Sequence, residues 1–345
     1  MTQVGILANP MSGRDVRRLA ARASTTTPEI KRDQVSRAAI GAAAGGAKRL
    51  YVIDEPFRIS RNAVEHLDAG VEIVTLDVGG SLSAGDTRRA TEQMREAGCG
   101  ALVVLGGDGT NRVVAKTWRD APLVPLSTGT NNVFPLHVEA TGAGLAAGLV
   151  ASGRLPLEEV SRRAKCVEVE IEGEPPDLAL VDAALLVDDA VGNFMPFEPA
   201  KLRHLVLARA EPAAVGMSPI GGLLHPCGAD EEAGVAVTCS APGGEGRSLL
   251  APVSPGLFRP VRVRGVRPLA LGEAVTVEGP GVLAFDGDRE RTLAAGQRAV
   301  LRVVREGPRV IDVAAALARA AREGILLDRE HWHDALDEGA RDGCC

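Results

Sequence analysis

Aromatic side chains are scarce in this chain: six Phe, two Trp and one Tyr among 345 residues. So few rings cannot furnish the stacking platforms that single-stranded nucleic acid requires. A basic excess is missing too, since 39 Lys and Arg stand against 45 Asp and Glu, a formal charge of -6. That balance removes the electrostatic footprint of nucleic-acid binding. No uninterrupted apolar run approaches ~18 residues, so no membrane-spanning helix is expected. The opening MTQVGILANP has no basic region and turns into a glycine loop, which argues against a secretory signal. The cysteines, Cys99, Cys166, Cys227, Cys239, Cys344 and Cys345, form no CxxC pair and read as reduced thiols. Cys344-Cys345 does not fit the spacing of a prenylation signal. The expectation is a cytoplasmic protein with small-molecule partners, no nucleic acid and no membrane.

What the chain does have is alternation. Val4 to Ala8, Leu50 to Ile53, Val71 to Leu76 and Ala101 to Leu105 read as buried strands. Arg14 to Ala23, Ala38 to Ala47, Arg58 to Leu67, Asp86 to Ala97 and Asn111 to Trp118 read as helices. Such alternation predicts an α/β domain, a Rossmann-like parallel sheet covered on both faces, over residues 1–155. A mainly antiparallel β domain is expected over 156–308, from Cys166 to Ile171, Leu178 to Val187, Val235 to Cys239, Val261 to Val263, Ala274 to Val277, Val282 to Phe285 and Ala299 to Val304. In the last stretch, 309–345, Ile311 to Leu327 reads as a helix returning to the first domain. Gly142 to Gly153 reads as the hinge.

Ligands of parallel sheets sit beyond the strands' carboxyl ends, and three turns fall there. The most informative is Gly106-Gly107-Asp108-Gly109-Thr110, directly after the apolar run Ala101 to Leu105. Glycines let backbone N–H groups close on an anion, and a following helix start adds partial positive charge. A structural loop explains the glycines but needs no Asp108 between them. A carboxylate in a phosphate cradle belongs there if it binds Mg²⁺ or takes a proton. Nucleotide-dependent phosphoryl transfer is the chemistry this pattern suits.

Asn9-Pro10-Met11-Ser12-Gly13 follows the first strand; Ser12 either caps a helix or touches a nucleotide. Ser127-Thr128-Gly129-Thr130-Asn131-Asn132 follows the strand Leu123 to Leu126 and suits ribose, base or phosphate, or a capped turn. Phe285-Asp286-Gly287-Asp288-Arg289 is equally a hairpin turn or part of a site. Two patterns are set aside. Gly142-Ala143-Gly144-Leu145-Ala146-Ala147 matches a dinucleotide fingerprint but no strand precedes it. His331-Trp332-His333-Asp334 places its histidines two apart, on different sides of a helix. No GxxxxGK[ST] sequence exists, so the nucleotide site is not a P-loop.

With those residues in view, the chain resembles the superfamily joining NAD kinases with diacylglycerol and sphingosine kinases. Within it, the chain is similar to the ATP–NAD kinase branch named for acetoin catabolism protein X. Asn9 to Gly13, Gly106 to Thr110, Ser127 to Asn132 with Val133-Phe134-Pro135, Ser254 to Phe258, and Asp286 to Arg289 carry the likeness in order along nearly the whole chain. The resemblance implies an NAD kinase-like fold, with ATP and a hydroxyl acceptor meeting between two domains. It gives Asp108 the catalytic role of accepting the acceptor's proton. It assigns Asn9, Ser12, Gly13, Gly106, Gly107, Gly109, Thr110, Asn111, Thr128, Gly129, Thr130, Asn131 and Asn132 to nucleotide and phosphate, and Asp182, Asp286 and Asp288 to the acceptor side. Mg²⁺ would be held through Asp108 and the ATP phosphates.

Two departures concern the acceptor. Val181-Asp182 stands where authentic NAD kinases carry Asn-Glu, and Gly216 to Gly222 replaces their Gly-Ser-Thr-Ala-Tyr loop. The first expectation is an ATP-dependent kinase acting on the 2′-hydroxyl of NAD to give NADP. The alternatives are a kinase of the same fold acting on a lipid-like or small polyol hydroxyl, and a nucleotide-binding accessory of a catabolic pathway without turnover. Strand edges of the β domain make a homo-oligomer a further expectation.

Overall fold

A computed structural model describes residues 2–13, 26–67, 69–129, 132–192 and 197–327. The first part alternates as expected: β1 (Gln3–Ala8), α1 (Pro28–Ala44), β2 (Arg49–Asp54), α2 (Ile59–Val64), β3 (Glu72–Asp77), α3 (Ala84–Glu96), β4 (Ala101–Gly106), α4 (Asp108–Thr117), β5 (Pro122–Ser127) and α5 (Ala140–Ala151). The helix expected over Arg14 to Ala23 lies outside the described residues, apart from which α1 starts earlier than the apolar pattern implied. Thr27 accepts the Ile30 N–H and Pro28 stands in its first turn, two start signals that outrank composition.

Next come α6 (Leu157–Val160), β6 (Ser161–Arg163), β7 (Cys166–Ile171), β8 (Asp177–Ala179), β9 (Asp182–Leu186), β10 (Leu202–Leu207), α7 (Ser218–Gly222), β11 (Ala233–Cys239), β12 (Arg247–Ser254), β13 (Leu257–Ala270), β14 (Ala274–Glu278), β15 (Gly281–Phe285), β16 (Asp288–Leu293), β17 (Arg298–Val304), β18 (Arg309–Ile311) and α8 (Val313–Arg322).

The first sheet has the order β3-β2-β1-β4-β5-β18-β6, parallel except where β6 meets β18. Val4, Ile6 and Ala8 face a core shared with α1, α5 and α8, while Leu7 faces the opposite core with Met94 and Val114. Burial on both faces is why these strands read as continuous apolar runs. The order reverses between β1 and β4, and at such a switch point the strand ends open a crevice. Asn9 and Gly107 stand there.

The hinge expected over Gly142 to Gly153 is not a hinge. Most of it is the body of α5, nearly all of it buried. Its small residues serve close helix packing: a Cβ on Gly144 would sit 2.0 Å from the Ala38 carbonyl oxygen on α1. The glycine pattern that mimics a dinucleotide fingerprint therefore has a packing cause.

The remaining strands form two antiparallel sheets, β12-β13-β11-β10-β9-β15-β16 and β14-β17-β7-β8. Val167, Val169, Leu283, Phe285, Leu301 and Val303 fill the core between them. As expected, α8 packs back on the first part, burying Val313, Ala316 and Ala320 against the α1–α5 core. No described helix is long and apolar enough to cross a membrane.

One guanidinium ties α4 to the antiparallel part. Arg112 is 3% exposed, donates to the Leu178 carbonyl, pairs with Asp177 at 2.9 Å and with Glu290, and stacks 4.8 Å over the Phe285 ring. Lys116 and Arg291 also reach Asp177. Burial pushes the Asp177 carboxyl up, but Arg112 and Lys116 outweigh it and hold it below the usual range. Removing one partner of a buried pair strands the other charge. Arg112→Met is expected to cost about 3–5 kcal/mol in urea unfolding. Arg112→Lys should recover only part, since an ammonium cannot reproduce the planar fork. A loss below about 1 kcal/mol, the range of exposed pairs, would show that this cluster does not hold the two parts together.

Candidate active site

The Gly106 to Thr110 turn is shorter than its sequence suggests. Helix α4 begins at Asp108 itself, with Gly107 in extended conformation as its cap. Asp108 thus stands in the first helical turn, where an anionic side chain meets the positive end of the helix. Its carboxylate also reaches the third turn: Oδ1 accepts the N–H groups of Val133 at 3.1 Å and Phe134 at 2.8 Å, and Oδ2 accepts Val133 at 3.1 Å. These partners are 25 and 26 residues away in sequence, so the contact is tertiary, not a local cap.

The three turns are stitched to one another. Asn9 Nδ2 donates to Thr110 Oγ1 at 2.8 Å, joining the first to the second. Ser12 Oγ and Thr128 Oγ1 lie 2.7 Å apart, joining the first to the third, and Thr26 donates to the Thr128 carbonyl. A Cβ on Gly107 would fall 2.8 Å from Asn132 Oδ1 and push that amide aside, and one on Gly13, at φ 75°, would meet the Thr128 carbonyl oxygen at 2.6 Å, so glycine at 13 is what allows the first and third turns their approach. Beneath the first turn, the fully buried Lys31 ammonium donates to the carbonyls of Asn9, Pro10 and Ser12. Carbonyls drawn inward in this way free the turn's outer side for N–H groups.

Asn111 is fully buried and donates to the Gly107 carbonyl, so it shapes the turn from within. Ser127 Oγ donates to the Gly129 carbonyl and accepts Asn132 Nδ2. Thr130, Asn131 and the His331 to Asp334 segment lie outside the described residues.

The antiparallel part brings its acids to the same place. Asp286, at φ 50°, turns its carboxylate onto the backbone N–H groups of Leu180, Val181 and Asp182. Asp286 is therefore a turn residue, as one of the two expectations had it, and its carboxylate organises the start of the strand carrying Asp182. Asp288 Oδ2 lies 3.3 Å from where a Gly109 Cβ would be. Asp182 is buried, with Oδ1 making no hydrogen bond.

So many carboxyls cannot all ionise. Burial first, then the Asp286 charge, pushes Asp108 up to about 7, against the amides of Phe134 and Val133 and the charge of Arg209. Burial and the charges of Asp286, Asp108 and Asp288 raise Asp182 well above the ordinary range. Asp286 is raised by burial, opposed by Arg112 and its three amides. Like charges sharing a site hold protons in common.

No group of three or more His, Cys, Asp or Glu among the described residues is arranged to hold a metal ion. Asp108 Oδ1 accepts two N–H groups and Oδ2 one, which leaves Oδ2 a lone pair for a proton or a cation.

The ATP-NAD kinase N-terminal domain family matches residues 4–151, and the acetoin catabolism protein X C-terminal domain family matches residues 165–306. Acetoin catabolism protein X of Cupriavidus necator is 35% identical over 335 residues, covering 94% of this chain and 93% of that protein. The chain belongs to the acetoin catabolism protein X family. Among solved structures, yeast NADH kinase complexed with NADH aligns at a TM-score of 0.49 and 12% identity, over 96% of this chain and 89% of that one. A Bacillus anthracis diacylglycerol kinase aligns at 0.42 and 11%, over 90% and 96%.

Sequence reasoning missed Lys31, Arg112 and Arg209, because a lone basic residue on a helix or strand carries no local signal. It also missed that Val133 and Phe134 act through their backbone. A carboxyl with a raised folded-state value binds its proton more tightly folded than unfolded, so stability falls as pH rises from about 4 through about 7. Asp108→Asn keeps an acceptor for the two amides and removes that slope. Its unfolding free energy should therefore gain on the parent's between pH 4 and pH 8, by no more than about 4 kcal/mol. Parallel stability curves for the two proteins would refute the raised value.

Proposed function

We propose that this protein is an ATP-dependent kinase that passes the γ-phosphoryl group to a hydroxyl acceptor, first the adenosine 2′-hydroxyl of NAD, giving NADP. The observation that carries the reading is the Asp108 carboxyl, held by two backbone amides where three strand-end turns converge and faced by acids of the antiparallel part. Backbone N–H groups of Ser12, Gly13 and the Gly107 to Thr110 turn would line the phosphates, aided by the start of α4.

In the reaction, Asp108 accepts the proton of the attacking hydroxyl while the O–P bond to the leaving diphosphate breaks. A carboxyl titrating near 7 is matched to proton transfer at neutral pH. Positioning and charge stabilisation supply the rest, as for phosphoryl transfer in general. The family's ATP-NAD kinase domain match supports the donor, and Asp182 supports a hydroxyl-bearing acceptor.

A second reading, a kinase acting on a lipid-like or polyol hydroxyl, is favoured by Val181. Its side chain is 1% exposed and apolar, so it offers no amide to a dinucleotide. Purified protein with ATP, Mg²⁺ and either NAD or a diacylglycerol separates these readings. NADP formation is expected; lipid phosphate would select the second, and neither product would leave a nucleotide-binding accessory. Asp108→Asn is expected to lower kcat by about 10²–10⁴-fold, the usual worth of a general base. In the parent, kcat/KM should rise with pH to a plateau above about 7.

A further inference from the structure

Arg209 belongs to neither a glycine turn nor the acid cluster, yet it touches both sides of the cleft. It follows β10, and its backbone N–H donates to the Val181 carbonyl, next to Asp182. Across the cleft, its Nη1 donates to the Phe134 carbonyl at 3.2 Å, with the guanidinium 6.0 Å from the Phe134 ring centre. Phe134 is the residue whose N–H binds Asp108 at 2.8 Å. Glu211 pairs with Arg209 Nε at 2.8 Å, and the Ser218 hydroxyl, at the start of α7, donates to the Arg209 carbonyl while accepting the Glu211 N–H. The short Gly216 to Gly222 loop thus serves as a brace for this arginine. Only two of the five guanidinium N–H groups are used in these contacts.

We propose that Arg209 is the positioning residue of this site, fixing Asp108 through Phe134 and setting a positive charge against the acids at the point of phosphoryl transfer. This rests on the kinase reading above. The groups bearing on Asp108 are Asp286, Asp182 and Asp288 from the antiparallel part, all anionic when ionised, with Arg209 as the opposing cation. Arg112 acts on Asp286 from the other side. Removing the Arg209 charge therefore leaves Asp108 to bind its proton more tightly.

The test is a cycle of Arg209→Gln, Asp108→Asn and the double variant, with urea unfolding from pH 4 to pH 9 and steady-state kinetics on the active forms. In the parent background, the stability deficit of Arg209→Gln should grow as pH rises; with Asn at position 108 it should be flat. The rise of kcat/KM should move upward by about one pH unit in Arg209→Gln, a tenfold change in proton affinity. Its kcat should fall at least tenfold with the KM for ATP within about threefold. Arg209→Lys should keep the parent's pH profile while losing part of kcat, and it serves if the Gln variant does not fold. An unmoved pH profile, or a deficit independent of both pH and residue 108, would overturn the proposal. Absence of any phosphoryl transfer by the parent would sink the kinase reading, while the stability cycle would still decide whether Arg209 is coupled to Asp108.

Discussion

The structure depends on one carboxylate being received by amides that belong to a different turn. Asp108 opens α4, and the Val133 and Phe134 N–H groups that bind it lie beyond β5. A carboxylate hydrogen-bonded in this way fixes the start of the helix and the course of the third turn together. The hydrogen bonds from Asn9 to Thr110 and between Ser12 and Thr128 then bind the first turn to the other two. Three loops that could each move alone are held as a single surface, and phosphoryl transfer gains most from such fixed geometry.

That surface needs an opposite wall, and charge explains how the wall is kept in place. The wall is acidic, with Asp182, Asp286 and Asp288, and acids brought towards Asp108 repel it. Arg112 offsets this on one side by clasping Asp177 and Glu290 and lying over Phe285, immediately before Asp286. Because Arg112 is one turn along α4 from Asp108, the helix that presents this carboxyl also carries the cation that draws in its neighbours. The residual repulsion appears as retained protons, not as separation of the two parts.

Much of this was legible in the residues. The strand-turn-helix pattern fixed the first sheet, and the three turns do meet at its switch point, since glycine and small polar residues at strand ends have few other uses. The α4 start was misjudged by three residues because Asp is a poor helix former except in a first turn, where the helix dipole favours it. The hinge was misread because glycine and alanine signal flexibility in sequence but allow close helix packing when paired with another small-residue helix, as at Gly144 against Ala38. Strands β10, β12 and β16 passed unnoticed; in β16, Asp288 to Leu293 reads DRERTL, and its Arg289, Glu290 and Arg291 find their partners in Asp189, Arg112 and Asp177 from distant segments. A lone arginine or lysine has no local signature, so Lys31, Arg112 and Arg209 emerge only when the chain is folded around them.

The two sides of the cleft differ in what they can tolerate. Under the proposed kinase reading, the three turns offer backbone amides and small hydroxyls, held from beneath by the buried Lys31, a set whose chemistry suits polyanionic phosphate whatever nucleoside bears it. On the facing side, acceptor recognition under that reading would fall to Asp182, whose Oδ1 makes no hydrogen bond, beside the buried and apolar Val181. Under the same reading, a substitution at 181 or 182 would change the hydroxyl used and leave the phosphate surface in place, because Asp286 secures this segment through its main chain and not through those side chains. On that reading an unchanged backbone scaffold would carry a changed acceptor preference, at the segment where Val181-Asp182 departs from the NAD kinase pattern.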